Sequence, residues 1–220
     1  MPSDFNVAVL ISGRGSNLEK LINCAEDYTV KAVFSNKVNA PGLEHARKAG
    51  ISSLGFNRRD YKSLKDFKAA IFDAVRKSRP DLVALAGFML IVDPEFVEEF
   101  YGRLVNIHPS LLPAYPGLDT HRRALEAGER FHGCTVHFVD AGVDTGPIIA
   151  QARCPVLPGD TADTLARRVL NLEHKLYPWV VNSIARGNIW LQNNAVEYTP
   201  GAVGEARARN FILNLSRKED

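Results

Sequence analysis

The sequence predicts an α/β protein: a Rossmann-like, mostly parallel twisted sheet with an antiparallel hairpin at one edge and helices on both faces. Two observations support this. In the first half of the chain, short apolar runs typical of buried strands alternate with segments whose apolar residues recur at helical spacing. In the second half, two strand-like segments follow each other across a short connection containing glycine, which is the pattern of a hairpin.

The elements of the first half follow one another in a regular order. The predicted strands are 5–11, 30–35, 51–56, 81–87 and 103–108, and the predicted helices are 16–25, a short helix ending at Gly50, 63–78 and 94–100. Pro94 falls in the first turn of its helix, where a missing N–H is tolerated. Strand–helix repeats of this length require right-handed crossovers and therefore a parallel sheet.

The second half changes character. Segments 134–140 and 147–156 form the predicted hairpin, and a long helix over 161–176 follows it. We expect Asp160 to be the N-cap of this helix, Asp163 to lie in its first turn and Pro178 to interrupt it. We expect a single domain over residues 1–200, with one lobe to about residue 100 and another from about 101, and a solvated tail over 201–220.

Composition narrows the class of protein. A net charge of +2 over 220 residues leaves no basic footprint, so we expect no nucleic-acid partner. Three widely spaced cysteines without a CxxC pair predict neither a disulfide framework nor a zinc site, and Cys134 and Cys154 are expected to be buried. The first apolar run is too short for a signal peptide or membrane span, which predicts a reduced, soluble, cytoplasmic protein.

The stretch SGRGSN (12–17) lies between the first strand and its helix. Gly13 and Gly15 can adopt positive φ, so that successive N–H groups point into one concavity at a helix N-terminus, where phosphate is the natural occupant. Leu18 stands where a dinucleotide fingerprint needs its third glycine, and no Walker lysine follows. An ordinary strand-to-helix turn is the alternative.

The stretch LVNIHPSLLPAYPG (104–117) ends a buried strand with polar residues. Side chains alternate along a strand, so Asn106 and His108 point to the same side, and ligands of open parallel sheets bind beyond the carboxyl ends of the strands. Three prolines in the following loop predict a stiff, pre-organised segment. The alternative is a structural histidine.

A carboxylate in VDAGVDTGP (139–147) could complete this site. If Asp144 lies beside His108, it should favour the imidazolium and raise the pKa of the ring, and such a pair could stabilise an oxyanion and deliver a proton. Alternatively, Asp140 and Asp144 only stabilise the turn.

No serine or cysteine lies in a nucleophile motif, which favours direct attack by a substrate amine on an acyl carbon. Glu173, at the edge of the apolar stripe of the long helix, is either a binding acid or a surface residue.

Taken together, the motifs resemble the phosphoribosylglycinamide formyltransferase family over roughly residues 5–192. The motifs that carry the resemblance are SGRGSNL, LAGFM (85–89), NIHPSLLPAYPG (106–117), HFVDAGVDTGPII (137–149) and LEHKLYP (172–178). The resemblance implies formyl transfer from the co-substrate 10-formyltetrahydrofolate to the amine of glycinamide ribonucleotide in purine biosynthesis, without a metal. It implies small-molecule partners only, no membrane or nucleic acid, and a monomer or homodimer.

The resemblance also implies roles for individual residues. Asn106, His108 and Asp144 match the family's catalytic amide, histidine and aspartate. The remaining matches are Gly15, Ser16 and Asn17 for the phosphate, Glu173 for the ribose, and Met89, Leu90, Ile91, Val92, Asn106, Asp140, Ala141, Gly142, Val143 and Asp144 for the folate. Nucleotide binding is thereby expected in the lobe before about residue 100, and catalysis with folate binding in the lobe after it.

The same residues suggest a mechanism. An amine that attacks a formyl carbon produces a tetrahedral oxyanion, to which Asn106 and protonated His108 would donate; loss of one such donor typically costs about 3 kcal/mol in the barrier. Asp144 would keep His108 charged and, through a water, help to move a proton from the amine to N10 of the folate. Thr135, in the first hairpin strand, is expected to order that water.

The sequence departs from the family at a few positions. Leu64 and Leu90 stand where several members carry arginine, and Leu170 stands where they carry glutamine. Contacts to the folate tail or the substrate phosphate therefore differ, and Lys62 and Lys65 are the nearby cations.

Three other functions are compatible with parts of the sequence. Methionyl-tRNA formyltransferase has a related strand end but needs a further C-terminal domain and a basic surface. Formyltetrahydrofolate deformylase has the same catalytic trio but an extra N-terminal domain. A non-catalytic folate- or nucleotide-sensing module predicts binding without turnover, and the intact Asn106, His108 and Asp144 disfavour it.

Overall fold

A computed structural model describes residues 4–215 of the chain. The fold separates into a first unit that ends at Val105 and a second that begins at Asn106. The first unit contains β1 (Asn6–Ile11), α1 (Ser16–Asn23), β2 (Thr29–Ser35), α2 (Leu43–Lys48), β3 (Ser52–Gly55), α3 (Leu64–Ser78), β4 (Leu82–Leu85), α4 (Pro94–Glu99) and the first residues of β5 (Leu104–His108). Its strands lie in the order β3-β2-β1-β4, and all of these pairs are parallel.

The apolar pattern of the sequence explains the core of the first unit. Val7 to Ile11 of β1 are almost fully buried, as expected for a central strand covered on both faces. In α3 the residues Phe67, Ile71 and Val75 recur at helical spacing and are buried. The helix begins at Ser63, whose hydroxyl accepts a hydrogen bond from the Asp66 N–H at 3.0 Å and so satisfies one of the donors left open at a helix start.

The second unit contains the antiparallel part of the fold. Its elements are the end of β5, α5 (Thr120–Glu126), β6 (Phe131–Phe138), β7 (Ile148–Pro155), α6 (Ala162–Ala185), β8 (Ile189–Gln192), β9 (Ala195–Tyr198), α7 (Pro200–Ala208) and β10 (Ile212–Leu213). The strand order is β5-β6-β7-β10, with antiparallel β6–β7 and β7–β10 pairs, while β8 and β9 form a separate hairpin. The predicted fold class, a mostly parallel sheet with an antiparallel edge and helices on both sides, is confirmed.

The long helix α6 differs from its prediction at both ends. Thr161, not Asp160, is the N-cap, and it forms a reciprocal capping box with Thr164. Asp160 instead binds Arg168 through two hydrogen bonds of 2.6 and 2.9 Å. Pro178 does not interrupt the helix, which continues to Ala185 because Trp179 and the residues after it extend the buried apolar face. Burial of several large side chains outweighs the roughly 3 kcal/mol that an interior proline costs.

The expected solvated tail from residue 201 is wrong for the residues that the structure describes. Helix α7 buries Ala202 and Ala206, and β10 adds a short antiparallel strand to β7. The ring of Phe211 lies against that of Trp179 with centroids 5.2 Å apart. Residues 216–220 of the expected tail lie outside the described part of the chain.

Cys134 and Cys154 are buried as predicted, and Cys24 is exposed. Between residues 4 and 215, no helix combines the length and the apolar character needed to cross a membrane.

Close contact between β6 and β7 gives a test of the fold. A Cβ on Gly133 would lie 2.0 Å from the carbonyl oxygen of Ala152 and 2.8 Å from a methyl of Leu111, so Gly133→Ala must separate the strands. We expect it to lower the free energy of unfolding by at least about 2 kcal/mol in urea titrations. Gly204→Ala, at an exposed helical position with open space around the new methyl, is the matched control and should raise stability by up to about 1 kcal/mol. Equal stability of the two variants would contradict this packing.

Candidate functional site

The glycine loop between β1 and α1 is held by a second glycine farther along the chain. Gly15 adopts φ +75°, and a Cβ there would lie 2.6 Å from the Cα of Gly42. Gly42 in turn donates its N–H to the Gly13 carbonyl at 3.0 Å. The sequence allowed positive φ at both Gly13 and Gly15, but Gly13 does not adopt it. The loop therefore needs glycine at positions 15 and 42, and the sequence reasoning missed the second.

The start of α1 has the character of an anion site. Gly15 is its N-cap, and no side chain makes a capping hydrogen bond to the first turn, which includes Ser16 and Asn17. The partial positive charge of a helix N-terminus favours a phosphate or carboxylate at this point.

The second unit brings the three predicted catalytic residues together. Nδ1 of His108 lies 3.3 Å from Oδ2 of Asp144. Nδ2 of Asn106 lies 3.2 Å from Nε2 of His137, and the same ring nitrogen lies 3.7 Å from Oδ1 of Asp144. Asn106 and His108 reach one cluster because they sit two residues apart on β5, and Asp144 reaches it from the connection between β6 and β7.

His108 is buried, with 5% of its surface exposed, and both of its ring nitrogens face oxygen atoms. Besides the Asp144 contact, its Nε2 lies 2.9 Å from the Tyr115 carbonyl oxygen. Burial of the ring lowers the pKa of His108 below its usual value of 6.5, and the Tyr115 carbonyl and the Asp144 charge oppose this shift without overcoming it. The prediction of a raised pKa was therefore wrong, because it counted the carboxylate but not the loss of solvent around the ring.

Asp144 remains ionised at neutral pH. Partial burial tends to raise the pKa of its carboxyl, but the contact with His137, the Gly117 N–H and the neighbouring imidazoles outweigh burial and lower the pKa below 3.8. Oδ2 of Asp144 accepts the Gly117 N–H at 2.9 Å. The backbone of Asp144 adopts φ +56°, and in this turn conformation its carboxylate lies beside His108. A charged carboxylate beside a neutral imidazole is an arrangement ready to take up one proton.

Thr135 lies on the first hairpin strand, as predicted, but its hydroxyl is fully used within the protein. Its hydroxyl donates to the Ser110 carbonyl at 2.7 Å and accepts from the Leu112 N–H at 3.0 Å and from Nε2 of Gln151 at 2.8 Å. A threonine hydroxyl has one donor and two acceptor positions, so all three are used within the protein. The expectation that Thr135 orders a water is corrected: it holds the proline-rich loop.

Two residues of the cluster were missed in the sequence. His137 hydrogen-bonds the Phe138 carbonyl through Nδ1 at 2.7 Å, which leaves Nε2 to accept from Asn106. Gln151 donates to the Leu112 carbonyl at 2.8 Å as well as to Thr135. Alternation along β6 places residues 135 and 137 on the same face and is the signal that could have identified His137.

The other predicted site residues fall into three groups. Glu173 is buried on α6, which removes the alternative of a surface glutamate. In the first unit, Met89 and Ile91 are exposed by 61% and 69%, whereas Val92 is buried and Leu90 half-buried. In the second unit, Asp140 accepts hydrogen bonds from Thr145 and from the Gly142 N–H, so it stabilises the turn. Its neighbours Ala141, Gly142 and Val143 are exposed.

In the described part of the chain, no group of three or more ligating side chains could hold a metal ion.

Comparisons with known proteins confirm the resemblance that the motifs indicated. The sequence model of the Formyl transferase family matches residues 5–181. Phosphoribosylglycinamide formyltransferase of Escherichia coli (strain K12) is 47% identical over 194 residues, which cover 86% of this chain and 92% of that protein. Trifunctional purine biosynthetic protein adenosine-3 of Homo sapiens is 44% identical over 192 residues, but the match spans only 19% of it. The crystal structure of glycinamide ribonucleotide transformylase 1 from Symbiobacterium toebii superposes with a TM-score of 0.84 at 43% identity, covering 88% of this chain and 93% of that one.

The direction of the His108 pKa can be tested by NMR. We expect the ring to titrate with a midpoint below 6.5, because burial disfavours the charged form. Asp144→Asn should move the midpoint lower still, since the carboxylate is one of the groups that favour the imidazolium. The spectrum of His108→Gln assigns the resonance. A wild-type midpoint above 6.5 would show that burial does not dominate the pKa of His108, and an upward shift in Asp144→Asn would show that the carboxylate does not favour the imidazolium.

Proposed function

Because the chain belongs to the formyl transferase family, we propose that it transfers the formyl group of 10-formyltetrahydrofolate to the amine of N1-(5-phospho-D-ribosyl)glycinamide. The products are the formylglycinamide ribonucleotide and tetrahydrofolate, and the reaction belongs to de novo purine biosynthesis. The observation that carries this proposal is the cluster in which His108 and His137 contact Asp144 and Asn106 contacts His137. A cluster of this kind can stabilise an oxyanion and exchange a proton.

The amide of Asn106 is one donor to the oxyanion. The amine attacks the formyl carbon, a C–N bond forms, and the carbonyl oxygen becomes negatively charged. A side-chain amide has two N–H donors, and Nε2 of His137 engages one of those on Asn106, which leaves the other for the oxyanion. Because His137 fixes the orientation of the amide, the donor is in place before the charge develops.

His108 and Asp144 act together on the proton. The ring is neutral in the resting protein, and the negative charge of the tetrahedral intermediate raises its affinity for a proton. Asp144 then stabilises the imidazolium from 3.3 Å. The amine loses its proton to the His108 ring, and this proton then passes through water beside Asp144 to N10 of the folate. The C–N10 bond breaks as N10 takes the proton up, and the ring is neutral again. Thr135 acts one step away, by holding the loop that contains Ser110 and Leu112.

The binding roles follow the chemistry of each segment. We assign the substrate phosphate to the N-terminus of α1 at Gly15, Ser16 and Asn17, where backbone donors and the helix dipole attract an anion. Glu173 is assigned to the ribose hydroxyls. The folate is assigned to the segments Met89–Val92 and Asp140–Asp144. Leu64, at the start of α3, is apolar and 52% exposed, so the carboxylates of the folate tail receive no cation from this position.

Turnover with defined substrates tests the proposal. Purified protein is mixed with glycinamide ribonucleotide and a 10-formyl folate, and formation of the deformylated folate is followed by absorbance. We expect turnover only when both are present. Folate deformylation without the amine would indicate a hydrolase, and binding without turnover would indicate a non-catalytic module; either result would overturn the proposal.

The catalytic pair makes a specific prediction. His108→Ala and Asp144→Ala should each lower kcat by more than about a hundredfold, because each removes charge stabilisation that is needed only in the transition state. Asp73→Ala, which removes an exposed carboxylate from α3, is the control and should leave kcat unchanged. Circular dichroism and thermal melting establish that the variants fold. Near-normal turnover in a folded His108→Ala or Asp144→Ala protein would refute the assigned roles.

The phosphate loop makes another prediction. Gly15→Ala should raise the KM for glycinamide ribonucleotide at least about tenfold, because the new Cβ meets the Gly42 backbone and displaces the N–H donors. Gly50→Ala is the matched control: Gly50 also has a positive φ, of 69°, but open space surrounds it. An equal effect on KM in both variants would mean that general backbone strain, and not the loop, is responsible.

A further inference from the structure

The segment between β4 and α4, residues 88–93, holds apolar side chains out to solvent without regular secondary structure. Met89 and Ile91 are mostly exposed, while Phe88 and Val92 are each only 9% exposed. No strand ladder or helix fixes this segment. Its conformation must therefore be set by individual contacts at its two ends.

Ser12 makes the contact at the first end. Its hydroxyl donates to Oδ1 of Asn36 at 2.6 Å and accepts the Met89 N–H at 2.8 Å, while its own N–H donates to the Gly87 carbonyl at 3.1 Å. A serine hydroxyl has a single proton, so donation to Asn36 leaves a lone pair directed at Met89. Ser12 is 3% exposed, which makes these bonds costly to lose.

Lys68 makes the contact at the other end. Its ammonium pairs with the carboxylate of Asp93, the last residue of the segment, and the Lys68 side chain is only 14% exposed. Asp93 occupies the N-cap position of α4, yet its side chain makes no capping hydrogen bond. A carboxylate at this position ordinarily accepts from the first turn of its own helix. Here it is directed to α3 instead, which ties the end of the segment to a neighbouring helix.

We propose that Ser12 and Lys68 are positioning residues for the formyl folate: they hold residues 88–93 in the conformation that presents Met89 and Ile91 to the flat, largely apolar ring system of the donor. The inference rests on the assignment of this segment to the folate in the proposed function. Ser12 is also the first residue of the glycine loop, so one buried hydroxyl supports both the loop after β1 and the segment after β4. Neither side chain is assigned a contact with the reacting atoms.

Hydrogen exchange and kinetics together test the inference. In Ser12→Ala we expect the Met89 amide to exchange about tenfold faster without any substrate, because its acceptor is gone. The KM for the formyl folate should rise about fivefold or more, while kcat changes less than about threefold. Lys68→Met keeps the aliphatic stem and removes the ammonium. It should loosen the amides of Ile91 and Val92 with the same split between KM and kcat.

The matched control is Ser35→Ala. Ser35 is a fully buried serine at the end of β2, and its hydroxyl accepts the Lys37 N–H at 3.1 Å. This variant should alter neither Met89 exchange nor the KM for folate.

An unchanged Met89 amide in Ser12→Ala, or faster exchange with an unchanged KM, would overturn the positioning role. If Ser12→Ala does not fold, Lys68→Met decides the question at the other end. A wild-type protein without turnover would refute the proposed function, whereas exchange measured without substrate would still decide whether the two residues hold the segment.

Discussion

The contact between His108 and Asp144 is the interaction on which the second unit is organised. A carboxylate that is half withdrawn from water stays charged only where a donor compensates the lost solvent, and the Gly117 N–H donates to Asp144. A buried imidazole stays neutral unless a partner offsets the loss of solvent, and one carboxylate with one carbonyl does not offset it fully. At neutral pH the pair therefore consists of a charged carboxylate and a neutral imidazole. Uptake of one proton by the ring would convert it into an ion pair, which suits a reaction in which further negative charge develops nearby.

Everything around this pair limits its freedom of movement. The Thr135 hydroxyl joins the loop after β5 to β6 and, through Gln151, to β7. The loop in turn offers the Tyr115 carbonyl to His108. The first unit uses a different device: its loop after β1 depends on the close approach of two glycines, so that backbone N–H groups face an anion. Side-chain hydrogen bonds thus hold the loop after β5 in the second unit, whereas close packing of two glycines holds the loop after β1 in the first.

Much of the fold could be read from local patterns. The parallel strands were found within one or two residues because continuous apolar runs bounded by glycine and proline are hard to place elsewhere. Pro178 misled the prediction because the rule for proline is local, whereas the burial that carries α6 onward to Ala185 depends on the packing of the whole helix. The short elements β8, β9 and β10 were not predicted, because they lie outside the strand–helix alternation that identified the equally short β3 and β4.

The sequence by itself determined the α/β class and the common direction of Asn106 and His108, because alternation on a strand is a local property. The inclusion of Asp144 came from the family resemblance. Only the tertiary structure decided the protonation of His108, the full use of the Thr135 hydroxyl and the part played by His137. Each of these depends on how much water is excluded and which groups from distant segments supply the hydrogen bonds. Those quantities exist only after the chain has folded.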